Sequence, residues 1–240
     1  MDLEYELNLA IEAAKDAGTF LLEQKNNEKL IISEAGRDIK LKLDQDTELL
    51  IRNKLKESKY AVFGEEYGGN LIANEKCWVV DPIDGTSNYF RNIDQCCVSI
   101  ALLDNFQAKI GVIYNFNSDE MYYSSYKNGA FLNEKKISVS NIARKDKASL
   151  TTGFPSSESI ESTNNFLGDL TQWKKIRMFG SAALSCAYIS SGRCDAYIEK
   201  GIYLWDFAAG ISLVTEAGGK VEYKKIDEER YSVVMSNGLI

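Results

Sequence analysis

Leu3, Leu7, Ala10, Ile11, Ala14, Ala17 and Leu21 recur at the three- and four-residue spacing of one helix face, which predicts a long amphipathic helix over residues 3–25. Leu43, Thr47, Leu50, Ile51 and Leu55 repeat the spacing and predict a second helix at about 44–58. Short apolar runs at Tyr60–Phe63 and Trp78–Asp81 then read as strands. From Cys96 to Val139 the pattern changes to β-rich runs separated by turn residues: Cys97–Leu103, Ile110–Asn115, Met121–Ser125 and a last strand near Ile137–Val139, with Asn128-Gly129 as a turn. This half reads as two helices packed on a mainly antiparallel sheet.

The remainder alternates differently. Strands are predicted at Ser149–Thr152, Ile176–Phe179, Ala196–Glu199, Lys220–Tyr223 and Ser232–Met235, with helices at about 161–172, 181–191 and 206–217 between them. The fold class is therefore α/β, an α+β half at residues 1–140 followed by an α/β half at 141–240, with no repeat or low-complexity linker between them. One compact unit is expected, with the active site in the cleft where the halves meet.

The run Cys77-Trp-Val-Val-Asp81-Pro-Ile-Asp84-Gly85-Thr86 breaks the apolar logic, because it carries two carboxylates inward at the end of an apolar strand. An unpaired buried charge costs several kcal/mol in order of magnitude, so a cation is expected between them. Pro82 turns the segment so that both carboxylates face one side and the Ile83 carbonyl is free to ligate. Gly85 permits close approach of a phosphate, and the Gly85 and Thr86 N–H groups are placed to cap its oxygens. Glu65 and Glu66 follow another strand, while Asp44 and Asp206 open helices. Taken singly, Asp44 and Asp206 read equally well as helix N-caps, and Glu65-Glu66 as a solvated turn. Taken together, Glu65, Asp81, Asp84 and Asp206 have the charge for two or three Mg²⁺ ions, each wanting about six oxygens. A rival chemistry begins with Asp-x-Asp-Gly-Thr, as in haloacid-dehalogenase-type phosphatases, where the first Asp is a covalent nucleophile. Here two residues separate the carboxylates and the motif lies far from the N-terminus.

Composition narrows the chemistry. The chain of 240 residues has no histidine, which excludes serine or cysteine nucleophiles activated by histidine and leaves carboxylates, hydroxyls, lysines and metal. With 28 basic and 35 acidic side chains the net charge is −7 and no basic stripe stands out, so no nucleic-acid partner is expected. The N-terminus lacks the positive start and apolar stretch of a signal peptide, and no run reaches membrane-spanning length, so no membrane association and a cytoplasmic location are expected. The five cysteines lie in apolar surroundings without a C-x-x-C pair, where thiols act as small hydrophobes in a reducing compartment.

Gly64-Glu65-Glu66, Asp81-Pro-Ile-Asp-Gly-Thr86 and Trp205-Asp206 with Ala208-Ala209-Gly210, in this order and spacing, resemble the inositol monophosphatase family of lithium-sensitive, Mg²⁺-dependent phosphatases. Supporting likenesses are Asp44 with Glu48, Gly129-Ala130-Phe131, Thr152-Gly153-Phe154-Pro155, Gly180-Ser181-Ala182-Ala183 and Glu216-Ala217-Gly218-Gly219. The resemblance implies a layered α-β-α-β-α sandwich, usually a homodimer. It implies Glu65, Asp81, the Ile83 carbonyl, Asp84 and Asp206 as ligands of two or three Mg²⁺. It also implies that Thr86, paired with Asp44, acts with Glu65 to activate a metal-bound water that attacks phosphorus directly.

For the substrate the resemblance implies contacts from Asp84, Gly85, Thr86, Ser181, Ala182, Glu199 and Asp206. Glu199 occupies the place where inositol monophosphatases hydrogen-bond a substrate hydroxyl, which favours inositol monophosphate or a similar small sugar phosphate. A solvated strand-end charge is its plain alternative. Relatives acting on 3′-phosphoadenosine 5′-phosphate, fructose 1,6-bisphosphate or histidinol phosphate share the chemistry, so a phosphorylated polyol, sugar or nucleotide remains open. A binding or regulatory protein on the same fold is the alternative of another class. Arg177 reads as a phosphate, interface or surface ion-pair residue, and Tyr122-Tyr123 as packing.

Overall fold

The computed structural model describes residues 3–35, 38–71, 75–154 and 160–240. Its chain runs α1 (Glu4–Gln24), β1 (Ile31–Ala35), β2 (Asp38–Leu41), α2 (Lys42–Leu55), β3 (Ala61–Gly64), β4 (Lys76–Asp84), α3 (Thr86–Phe90), β5 (Cys97–Asp104), β6 (Gln107–Asn115), β7 (Glu120–Ser125), β8 (Gly129–Leu132) and β9 (Lys135–Ile137). It continues through β10 (Ser149–Thr152), α4 (Ile160–Leu170), β11 (Lys175–Arg177), α5 (Ala182–Ser190), β12 (Ala196–Tyr203), α6 (Leu204–Glu216), β13 (Lys220–Lys225) and β14 (Arg230–Ser236). Strands β3 to β9 form a seven-stranded sheet in sequence order, antiparallel except for the parallel β3–β4 pair. Strands β10 to β14 form a five-stranded mixed sheet in the order β11-β10-β12-β14-β13, and β1–β2 is a separate two-stranded ribbon.

The central strands of the large sheet are apolar on both faces because both faces are covered. In β4 and β5, Trp78, Val80, Val98, Ile100 and Leu102 pack with Ala10, Ala14, Ala17 and Leu21 of α1 and Ile51 and Leu55 of α2. The alternate residues Val79, Cys97, Ala101 and Leu103 face the opposite way, toward α5 and α6, which also meet Val233 and Met235 of the smaller sheet. The far face of that sheet, Leu150 and Ala196, packs with Leu170 at the end of α4 and with Trp173. The result is the α-β-α-β-α sandwich expected from the sequence.

Close backbone approach holds the layers together. A Cβ on Gly111 of β6 would stand 2.2 Å from the Ala209 carbonyl oxygen of α6. Cys96 and Cys97 point into different cores, as expected of neighbours in an extended chain. Tyr122 is fully buried and Tyr123 stacks on Phe131, both as packing. All five cysteines are buried thiols. Among the described residues, no helix is long and apolar enough to cross a membrane.

Several boundaries differ from the sequence expectation. The strand expected to stop at Asp81 continues to Asp84, because a bulge absorbs the proline: Asp81 pairs with Ser99 and Asp84 with Cys97, three steps on β4 against two on β5. The β1–β2 ribbon, the strand β8 and the short helix α3 were not expected. The two helices thought to begin at Asp44 and Asp206 begin two residues earlier, at Lys42 and Leu204.

Candidate active site

Asp44 and Asp206 are not N-caps. Each is the third residue of its helix and reaches back to the residue before it: the Leu41 N–H donates to Asp44 Oδ2 at 2.6 Å, and the Tyr203 N–H to Asp206 Oδ2 at 2.7 Å. This fixes one oxygen of each carboxylate at a positive helix end and leaves the other free of that contact. Asp44 Oδ1 lies 3.1 Å from Thr86 Oγ1.

Asp81 and Asp84 sit on either side of the β4 bulge and are 2% and 7% exposed. The Ile83 N–H donates to Asp81 Oδ1 at 3.0 Å, which tightens the turn. Gly85 then takes φ 90°, a left-handed conformation that favours glycine, and a Cβ there would meet the Gln95 and Gly180 carbonyl oxygens at 2.8 and 3.1 Å. Thr86 begins α3, with its hydroxyl within reach of two acceptors, Asp44 Oδ1 and, at 2.9 Å, the Ile83 carbonyl. Its single proton serves one at a time. When it goes to the carboxylate, the Ile83 carbonyl is released.

Glu65 follows β3, where its N–H donates to the Val80 carbonyl at 3.2 Å and so continues the pairing with β4. Its carboxyl lies near enough to Asp81 for each to affect the other's pKa. The turn is held from beneath by Glu48, a fully buried carboxylate of α2 that accepts from the Glu66 N–H at 2.7 Å and the Tyr67 N–H at 3.3 Å. Arg52 neutralises Glu48 at 2.6 Å and donates to the Val62 and Gly68 carbonyls at 3.0 and 2.5 Å. Glu66 itself is buried at its carboxylate and pairs with Lys40 of β2 at 2.8 Å. These roles of Glu48 and Lys40 were missed in the sequence. The only signal was the four-residue spacing of Asp44, Glu48 and Arg52 along one helix face.

The carboxylates lie close enough to disturb one another. Burial raises Asp81 well above the usual range, with the charges of Glu65, Asp84, Asp206 and Asp44 adding to it. Asp206 is raised well above it by burial and then by Asp84 and Glu65. Glu65 is raised by burial and by Asp44 and Glu66, against the pull of Lys40. Asp44 is pushed up to about 7, by burial first. Lys40 is raised: burial would lower it, but the hydrogen bond to Glu66 and the charges of Glu66, Glu65 and Asp44 outweigh that.

Asp84 has made its own arrangement. Its carboxylate accepts the Ala182 N–H at 3.2 Å, the Ala183 N–H at 2.9 Å and the Ser181 hydroxyl, all at the start of α5. Burial raises its pKa and these donors oppose the rise. Ser181 and Ala182, expected to meet substrate oxygens, are engaged by Asp84, because a buried carboxylate is stabilised by the free donors of a helix N-terminus. Glu199 lies on β12 and is pushed up to about 7, by burial first and also by the charge of Asp84. Arg177 is exposed and donates to its neighbour Ile176's carbonyl.

Folding thus brings Asp44, Glu65, Asp81, Asp84, Thr86 and Asp206 into one electrostatic group from five elements. Among the described residues, no three acidic or thiol side chains are grouped closely enough to hold a metal ion as they stand. What fits a divalent ion is the donor set: hard carboxylate oxygens, mutually repelling, with Ile83's carbonyl at hand.

The raised carboxylates give a pH dependence with a definite sign. Asp44 rises from 3.8 to about 7 and Glu199 from 4.5 to about 7. Their contribution to stability is complete below the ordinary values, where both states are protonated, and is lost as pH rises through about 7, where the folded groups must ionise. In excess chelator, the melting temperature is expected to fall by several degrees between pH 5 and pH 8. Thermal melts across that range check this, and a rising melting temperature would contradict it.

The sequence matches the profile of the inositol monophosphatase family over residues 2–238. It is 41% identical over 233 residues to a protein of Xylella fastidiosa named Nus factor SuhB, covering 93% of this chain and 84% of that one. It is 36% identical over 254 residues to an inositol-1-monophosphatase of Synechocystis, covering 100% of this chain and 87% of that one. The solved structure of the extragenic suppressor protein suhB from Bartonella henselae superposes with a TM-score of 0.88 at 30% identity, covering 98% of this chain and 95% of that one.

Proposed function

The chain belongs to the inositol monophosphatase family, and from that premise we propose that it is a Mg²⁺-dependent phosphomonoesterase acting on inositol monophosphate or a similar small sugar phosphate. The observation that carries this reading is the burial of Asp81 and Asp84 on either side of the β4 bulge, 2% and 7% exposed, with Glu65 and Asp206 near enough to raise the pKa of Asp81 further. A divalent cation would offset that repulsion, and the phosphatases of this family use one.

Glu65, Asp81, Asp84, Asp206 and the Ile83 carbonyl would hold two or three Mg²⁺. When bound, the metal offsets phosphate charge, lowers the pKa of water and stabilises the leaving oxygen. The chain's own part is orientation and proton handling. Asp44, anchored by the Leu41 N–H, accepts the Thr86 proton and so turns the Thr86 lone pairs toward the attacking water. Thr86 and Glu65 then hold and remove a water proton, while the Gly85 and Thr86 N–H groups orient phosphate oxygens. The Ser181 hydroxyl and Ala182 N–H, at the start of α5 beside Asp84, would be donors to substrate oxygens. Glu199 accepts from a substrate hydroxyl. Homodimerisation, lithium sensitivity and a cytoplasmic location accompany this reading.

Thr86→Val is expected to lower kcat by roughly 10²- to 10³-fold with little change in KM, the size of a lost general-base contact. Steady-state phosphate release checks this, and wild-type kcat would exclude Thr86 from the reaction. The substrate is tested by comparing kcat/KM for inositol 1-phosphate, fructose 1,6-bisphosphate, histidinol phosphate and 3′-phosphoadenosine 5′-phosphate. The polyol monophosphate is expected to lead. A tenfold preference for the nucleotide bisphosphate would contradict the role given to Glu199.

One finding favours a second reading, a regulatory role on the same fold: the 41%-identical Xylella protein is named a Nus factor. An Asp84→Asn variant that lost turnover yet kept the cellular phenotype would support it.

A further inference from the structure

Glu199 is held by groups to which the reaction above gives no part. Tyr197 precedes it by two positions on β12, so the two side chains share a face of the strand. Tyr197 is fully buried, and its phenol donates to Glu199 Oε2 at 2.9 Å. Just past the end of the neighbouring strand β10, the Gly153 backbone lies against the same carboxylate and opposes the rise in its pKa. A Cβ on Gly153 would stand 1.8 Å from Glu199 Oε1, while Gly153 is not among the glycines with positive φ. Any side chain there would displace the carboxylate, so what glycine supplies at 153 is room for Glu199, not a special backbone conformation. The strands carrying this assembly are tied at the same level, with Thr152 opposite Ile198 and Thr152 Oγ1 donating to the Ile198 carbonyl at 2.6 Å.

A carboxylate has about four lone-pair directions, and the phenol occupies one of them. The phenol and the close Gly153 backbone fix the group and leave acceptor positions open. What remains is acceptor capacity on a partly buried carboxyl whose position is fixed. Such a group suits a substrate O–H donor.

We propose that Tyr197 and Gly153 are the positioning residues that make Glu199 a reader of neutral substrate hydroxyls. The inference rests on the reading of Glu199 as a substrate contact. A merely structural hydrogen bond between Tyr197 and Glu199 would alter stability but leave substrate choice alone.

The test is the ratio of kcat/KM for inositol 1-phosphate to that for 4-nitrophenyl phosphate, which has no hydroxyl to read, measured on wild type, Glu199→Gln, Tyr197→Phe and Gly153→Ala. Tyr197→Phe is expected to lower the ratio roughly 3- to 10-fold, the range of one hydrogen bond, chiefly through KM for the inositol ester. Gly153→Ala, which drives the carboxylate from its place, lowers it in the same sense. Thermal melts of each variant report folding, and if Tyr197→Phe fails to fold, Gly153→Ala carries the same measurement. If Glu199→Gln lowers the ratio while the folded Tyr197 or Gly153 variant keeps the wild-type value, the proposal is overturned and Glu199 stands as a substrate contact. If Glu199→Gln keeps the wild-type ratio as well, the substrate role of Glu199 itself is wrong and the proposal falls with it.

Discussion

Asp81→Asn is expected to lower kcat/KM by on the order of 10³-fold or more while raising the melting temperature of the metal-free protein. The two effects have one cause. Asp81 is 2% exposed, and its charged form is penalised by burial and by Glu65, Asp84, Asp206 and Asp44. Asparagine retains an oxygen for the Ile83 N–H that tightens the bulge, so the local structure keeps its hydrogen bond. It removes the charge that the neighbouring carboxylates repel, and with it one strong ligand for the cation. Above pH 7 the variant should therefore melt higher than wild type in chelator and gain less from added Mg²⁺. Wild-type turnover would sink the metal reading; a lower melting temperature in chelator would contradict the account of Asp81 as a destabilised charge.

Glu48→Ala is expected to cost about 3–5 kcal/mol of stability, the range for removing one partner of a buried ion pair. Glu48 is fully buried and accepts from the Arg52 guanidinium and the Glu66 and Tyr67 N–H groups. Alanine would strand all three donors at once, and the turn that presents Glu65 would lose its anchor. Gly64 belongs to the same device, since a Cβ there would lie 2.2 Å from Glu48 Oε1. Urea denaturation measures the loss, and a cost below about 1 kcal/mol would show that the turn is held by other contacts.

The layers of the fold were legible because burial dictates periodicity. The α1 stripe and the apolar runs of β4, β5 and β6 each face a core, and their spacing states which element they form. Less was legible where side chains compete with pattern. Pro82 reads as the end of a strand, yet β4 passes through it because a bulge needs no proline N–H. The β1–β2 ribbon belongs to neither large sheet and leaves Leu30, Ile31 and Ile32 exposed, so the alternation that would reveal it is missing.

The same contrast holds in the site. Asp81 and Asp84 stand out because charge ends an apolar run. Asp44 and Asp206 resemble helix caps, and only the structure shows them at the third position of the first turn, each with one oxygen spent on backbone. The donors gathered on Asp84 come from residues 181–183, almost a hundred positions away, and no local pattern announces that meeting. Tyr197 and Gly153 resemble ordinary strand residues until the carboxylate between them is seen.

The central claim, that the carboxylate cluster works by holding magnesium, is tested most directly by phosphate release from inositol 1-phosphate after exhaustive chelation, followed by titration with Mg²⁺. The account predicts no turnover above background in chelator and full, saturable recovery as Mg²⁺ is restored; turnover that persists undiminished in excess chelator would contradict it.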